Sequence, residues 1–166
     1  SRVSRGLGDV YKRQVYCWGR NGNGQIGNGQ ISPINTACGQ AGHKCKDVPT
    51  LTRVKGANGY DAAGLAFGDR HACALLDDGA VVCWGRNNAG QLGTSGGDKD
   101  TPQSINLGAG RTATSIHAGG NYNCAILDDA SVKCWGQNDE GQLGRGFTSS
   151  SENTPATINS LGSGRT

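Results

Sequence analysis

The chain has 166 residues, of which 29 are glycine and none methionine, with 34% hydrophobic residues and a formal net charge of +3. Glycine at this density disfavours packed helices and suits short strands joined by tight turns, so the expectation is an all-β chain with a modest core. A broad phosphate-binding surface is unsupported, because Arg2, Arg5, Lys12 and Arg13 against Asp9 carry the whole excess and the remaining chain holds 12 basic and 12 acidic residues.

Residues 1–14 share no feature with the rest of the chain and resemble translated cloning-adapter sequence, so they are set aside as a non-native leader. They contain no apolar stretch of the secretory type, and no run of about eighteen apolar residues occurs anywhere, so no membrane-spanning helix is expected.

The next segment is Cys17-Trp18-Gly19-Arg20-Asn21-Gly22-Asn23-Gly24-Gln25-Ile26-Gly27, and it returns twice in register: Cys83 to Gly93, and Cys134 to Gly144. Trp18, Trp84 and Trp135 stand 66 and 51 residues apart, which sets a period of 51 with an insertion of 15 in the first interval, placed at about 36–48. The resulting divisions are repeat 1 at 15–61, repeat 2 at 62–112 and repeat 3 at 113–166. Large apolar residues that recur with the period are core residues, so Trp18, Trp84 and Trp135 are assigned to packing between neighbouring blades. By the same reasoning Gln25, Gln91 and Gln142 are structural hydrogen-bonding residues.

Inside the insertion, Cys38, His43 and Cys45 raise the question of zinc. Two cysteines six residues apart with one histidine lack a fourth ligand and any C-x2-C element, so no metal site is expected there. A Cys38–Cys45 bridge is the preferred reading.

Repeat 2 then presents Ala72 to Leu76 and Ala80 to Trp84, two short apolar runs around Asp77-Asp78-Gly79. This reads as a β-hairpin with a type I turn closed by a left-handed glycine. If Leu76 faces Ala80, antiparallel pairing sets Leu75 opposite Val81 and Cys73 opposite Cys83. Repeat 3 repeats the pattern, with Cys124 opposite Cys134, but Ala130 replaces the turn glycine and strain is expected there. The seven cysteines thus leave Cys17 unpaired, its repeat-related partner position being occupied by Leu7 of the leader. Cross-strand bridges at this density point to an oxidising compartment, outside the cell or at its surface.

A period near fifty, Cys-Ala-Leu before an acidic turn, and Trp-Gly-x-Asn-x-x-Gly-Gln-Leu-Gly after it together resemble the repeat of the regulator of chromosome condensation family. The resemblance covers residues 15–166. It implies a β-propeller of about seven blades, each a four-stranded antiparallel sheet, of which this chain supplies about three. Three blades cannot close a ring, and the expectation is a piece of a longer gene product.

No chemistry is expected of these residues. The glycines sit in repeat turns with no Gly-Lys-Ser/Thr element, so no cofactor site is assigned. His71 aligns with Tyr122 and His117 with Ala66, neither accompanied by a serine, cysteine or carboxylate partner, so no catalytic residue is assigned. Asp77-Asp78 and Asp128-Asp129 lie in turns, where aspartate caps backbone amides. What varies between repeats is the stretch after each Gly-Gln-Leu/Ile-Gly: 28–48, 94–101 and 145–154. Varied loops on a repeated scaffold suit a protein partner, and the leading expectation is an extracellular or cell-surface binding propeller that is not an enzyme and does not bind nucleic acid. The resemblance also implies alternatives: a nuclear or cytosolic guanine-nucleotide exchange factor for a small GTPase, or regulatory repeats attached to a catalytic domain elsewhere.

Overall fold

The computed structural model describes residues 16–29, 36–37, 44–45, 47–53 and 62–159, and the secondary structure among them is β throughout. The leader 1–14, Cys38 and His43 lie outside the described residues, as do the side chains of Trp18 and Cys45.

Two sheets carry the architecture. The first has four antiparallel strands in chain order, β5 (Ala62–Phe67), β6 (His71–Leu76), β7 (Val81–Gly85) and β8 (Lys99–Ser104). The second repeats it with β9 (Ala113–Ala118), β10 (Tyr122–Leu127), β11 (Val132–Asn138) and β12 (Ser149–Thr157). These are propeller blades, the expected fold class. Ahead of them β1 (Tyr16–Arg20) pairs with β4 (Asp47–Arg53), as β7 pairs with β8, and a short hairpin of β2 (Thr36–Ala37) and β3 (Lys44–Cys45) lies between them in sequence. Gly19 pairs with Val48 where its counterpart Gly85 pairs with Lys99, so the extra residues of the first interval fall between β1 and β4. Asp47 and Val48 themselves belong to the outer strand, opposite Arg20 and Gly19.

Burial follows from stacking. All six residues of β6 are buried, and their period of two sends them to opposite sides. Ala72, Ala74 and Leu76 join Cys17, Ile26, Val82 and Trp84 in one cluster. Cys73 and Leu75 join Val81, Leu92, Ile116, Ala125, Leu127 and Trp135 in the other. A strand covered on both faces reads as an unbroken apolar run, which is why the hairpin strands lack polar alternation in the sequence.

Register within the hairpins follows the turn. Leu75 pairs with Val81 and Cys73 with Cys83 in one blade, and Cys124 pairs with Cys134 in the next. Gly79 takes φ +81°, and Ala130 occupies the same left-handed position at φ +63°, the sole non-glycine with positive φ among the described residues. A Cβ in that region crowds the backbone, whereas glycine adopts it freely. Ala130→Gly is therefore expected to raise stability by about 1 kcal/mol, read as an upward shift of the urea midpoint with unchanged slope.

The Gly85 and Gly136 positions are imposed by packing. Each follows the recurrent tryptophan with φ above +100°, and a Cβ on them would meet the Arg70 or Asn121 carbonyl oxygen at 2.6 and 2.5 Å.

Candidate functional site

The residues that recur and those that vary meet at the loop between the third and fourth strand of each blade. Trp84 and Trp135 are fully buried. Their indole N–H groups cross to the preceding repeat, Trp84 Nε1 donating to the Gln25 carbonyl at 2.9 Å and Trp135 Nε1 to the Gln91 carbonyl at 3.1 Å. A buried indole needs an acceptor, and the Gly-Gln-Leu/Ile-Gly turn of the neighbour supplies it.

The glutamine side chains close the same turns from within. Gln25, Gln91 and Gln142 Oε1 accept the backbone N–H of Asn23, Ala89 and Glu140 at 2.8, 2.8 and 2.9 Å.

The varied loops hang on a buried asparagine. Asn87 Oδ1 accepts from the Leu92 amide at 2.9 Å, and its Nδ2 donates to the Thr94 and Gly96 carbonyls at 2.9 and 2.8 Å. Asn138 Oδ1 accepts from Leu143 at 3.1 Å, while its Nδ2 donates to the Phe147 carbonyl at 2.9 Å and Ser149 Oγ at 3.3 Å. Asn21, also buried, accepts from the Ile26 amide at 3.1 Å. One side chain thus satisfies a turn that repeats and a loop that does not, fixing the loop base while its outward residues remain free to differ. The signal was present in Trp-Gly-x-Asn, whose asparagine recurs as faithfully as the glutamine.

The loops differ in how they are held beyond that base. In repeat 3, Arg145 is nearly buried, pairs with Glu152 at 2.9 Å, and donates to the Cys134 and Thr154 carbonyls. Repeat 2 instead uses Asp98, which accepts from the Asn87 amide at 2.9 Å and from Asn23 Nδ2 of the neighbouring repeat at 2.7 Å. Lys99 to Thr101 and Ser149 to Thr154 of the varied stretches are strand residues of β8 and β12. Phe147, whose carbonyl is held by Asn138 at the base of the third-repeat loop, leaves its side chain half exposed.

Titratable groups are dispersed. Asp78 and Asp129 cap the Ala80 and Ser131 amides at 2.9 and 3.0 Å, the turn role expected of them. The Ser131 contacts, followed by Arg111, hold the Asp129 carboxyl below its ordinary range, and Gln137 and Gln142 do the same for Asp139. Burial pushes the Cys17 thiol up to about 12, keeping it protonated and unreactive. No group of three or more His, Cys, Asp or Glu able to hold a metal occurs among the described residues. Among them, too, no helix is long and apolar enough to cross a membrane.

His71 is fully buried. Its Nε2 lies 3.0 Å from Asn123 Oδ1, and Asn123 Nδ2 donates at 2.6 Å to the same Gln91 carbonyl that Trp135 uses, so the histidine contacts the joint between blades. With Asn123 Oδ1 as acceptor, Nε2 carries the proton. Nδ1 is buried without a partner. Burial lowers the His71 pKa from its ordinary 6.5, so the folded chain keeps it neutral where the unfolded chain would charge it. The unfolded state then binds more protons as pH falls below about 6.5, and stability present above that pH is lost toward the depressed folded value. Thermal midpoints measured from neutral to acid pH should fall in that window, and His71→Gln should flatten this part of the profile.

The bridges seen are Cys73–Cys83 and Cys124–Cys134, each with a Cα–Cα separation of 4.1 Å. Cys73 and Cys83 are inaccessible, whereas Cys124 is only half-buried.

The family model described as "Regulator of chromosome condensation (RCC1) repeat" matches residues 14–75, 78–126 and 129–165. Each full match joins the last two strands of one sheet to the first two of the next. The probable E3 ubiquitin-protein ligase HERC3 of Homo sapiens is 31% identical over 151 residues, covering 90% of this chain and 13% of that protein. The ultraviolet-B receptor UVR8 of Arabidopsis thaliana is 32% identical over 135 residues, 80% of this chain and 27% of the receptor. Among solved structures, Prp20p from Saccharomyces cerevisiae, described with its binding to Gsp1p and histones, superposes with a TM-score of 0.71 at 19% identity. That superposition covers 89% of this chain and 34% of the yeast protein, so the chain spans at most about a third of each of these relatives.

Proposed function

Because this chain belongs to the regulator of chromosome condensation repeat family, we propose that it serves as a protein-docking segment of a β-propeller, offering its varied loops to a partner at the cell exterior. The observation that carries the docking role is the buried asparagine at each loop base: Asn87 and Asn138 hold rigid ends under loops whose outer residues differ from blade to blade. Pre-ordered loops lose little conformational entropy on binding, which favours recognition of a folded surface. The architecture binds Gsp1p and histones in the yeast protein of the same fold. Support for the exterior comes from the two cross-strand bridges, one of them sealed in the core between blades.

A second reading, regulatory repeats joined to a catalytic domain, draws on the similarity to HERC3, of which this chain matches 13%. The two readings differ in compartment and in what the loops do.

The test replaces residues 95–97 and 146–148 with glycine-serine segments of equal length, leaving Asp98 and Arg145 in place, and follows proximity labelling of the expressed protein. Loss of a defined set of labelled proteins, with tryptophan near-UV dichroism retained, supports docking through the loops; an unchanged set, or one dispersed by nuclease, overturns it. Thiol trapping of the native protein addresses compartment. Blocked cysteines at positions 73, 83, 124 and 134 support the exterior, and reduced thiols there sink it.

A further inference from the structure

We infer that Asn23 is a site of spontaneous modification, an asparagine whose deamidation loosens the joint between the first two repeats. Four Asn-Gly pairs occur in the sequence, at 21–22, 23–24, 28–29 and 58–59, the last outside the described residues. Asn-Gly is the pairing most open to attack by the following backbone nitrogen on the side-chain carbonyl, because glycine offers no side chain to shield it. The reaction is internal. Gly24 N bonds to Asn23 Cγ, the bond from Cγ to the side-chain nitrogen breaks, and that nitrogen leaves as ammonia with the proton Gly24 N gives up. Water then opens the succinimide at either carbonyl, yielding aspartate or isoaspartate.

The three described pairs differ in what the fold permits. Asn21 is fully buried, with Oδ1 engaged by the Ile26 amide. Asn28 is buried too, and the Gly29 amide that would attack is held by the Asp100 carbonyl at 2.8 Å. Asn23 is half-buried, its side chain makes an exposed contact, and the Gly24 amide is engaged only by a long 3.2 Å bond to the Asn21 carbonyl.

The fold also prevents the reactive glycine from being replaced. Gly24 has φ +77°, and a Cβ there would stand 2.7 Å from Asp100 Cα in the next blade. Gly90 repeats this against Asn153 Cα at 2.9 Å, but Ala89 precedes it, and Glu140 precedes Gly141. Among these three glycines the first repeat alone sets asparagine before the demanded residue.

Conversion has a structural consequence. Asn23 Nδ2 donates to Asp98 Oδ2 at 2.7 Å, linking the first-repeat turn to the loop that Asp98 organises in the second. Aspartate at 23 replaces that donor with a carboxylate facing a carboxylate, which repels.

The experiment incubates the native chain at mildly alkaline pH and follows each Asn-Gly peptide by mass spectrometry, with Asn58 read separately. Asn23 should convert about tenfold faster than Asn21 or Asn28, which must first open locally, and this preference should vanish in the denatured chain. Equal or faster conversion at Asn21 or Asn28 in the native chain, or none at Asn23, overturns the site. For the joint, Asn23→Asp should lower the thermal midpoint and Asn23→Asp with Asp98→Asn should recover it. An unchanged midpoint in the first variant, or no recovery in the second, overturns the coupling. Should Asn23→Asp fail to fold, folding restored by adding Asp98→Asn supports the coupling and continued failure rejects it.

Discussion

Trp135→Ala is expected to lower the unfolding free energy by about 3–5 kcal/mol, a large share of what a domain of this size possesses. The indole is fully buried among Leu75, Val81, Leu92, Ile116, Ala125 and Leu127, which come from two blades, so the cavity opens at the joint and cannot be closed by one blade alone. Urea titration followed by far-UV dichroism measures the loss; a change below about 1 kcal/mol would place the tryptophan outside the core. Phenylalanine separates the ring from its N–H. In Trp135→Phe the Gln91 carbonyl keeps the Asn123 amide at 2.6 Å. Trp84→Phe has no such substitute, because Ala72 stands opposite Trp84 where Asn123 stands opposite Trp135. The second variant should therefore lose more than the first, by about 1 kcal/mol for an orphaned acceptor.

Joint replacement of Cys73 and Cys83 by alanine is expected to cost about 2–4 kcal/mol, the range for removing a native bridge that closes a short loop. The sequence separation is 10 residues, and both sulfurs sit in the core between blades, so packing is lost together with the cross-link. The Cys124–Cys134 bridge lies on the face of β10 that carries half-exposed Ile126, and Cys124 is itself accessible. Graded reductant followed by alkylation should therefore open Cys124–Cys134 well before Cys73–Cys83. The reverse order would show that access through the described sheets does not control reduction.

Hairpin pairing was legible from local sequence because a turn of known length between apolar runs leaves one register, and period two then assigns every partner. Cys73 opposite Cys83, and the left-handed demand that Ala130 meets at φ +63°, both follow from that alone. His71 was not legible. Its alignment with Tyr122 made it look like an isolated strand histidine, and nothing local indicates that Asn123, 52 residues on, will stand 3.0 Å from its Nε2. Arg145 was equally hidden, as one charge in a varied loop, until β11 and β12 folded around it.

The recurrence of Trp, Gly, Asn and Gln at one spacing determined, from sequence by itself, that the chain is an array of like β units and where each hairpin turns. The tertiary structure decided what the recurring residues do. Trp84 and Trp135 reach the carbonyl of the preceding repeat, Asn87 and Asn138 anchor the loops, and Gly24 makes room for the next blade's backbone. The division has a physical cause. Strand pairing across a short turn is set by residues adjacent in the chain, whereas stacking of one sheet on the next brings together groups that no sequence spacing places face to face.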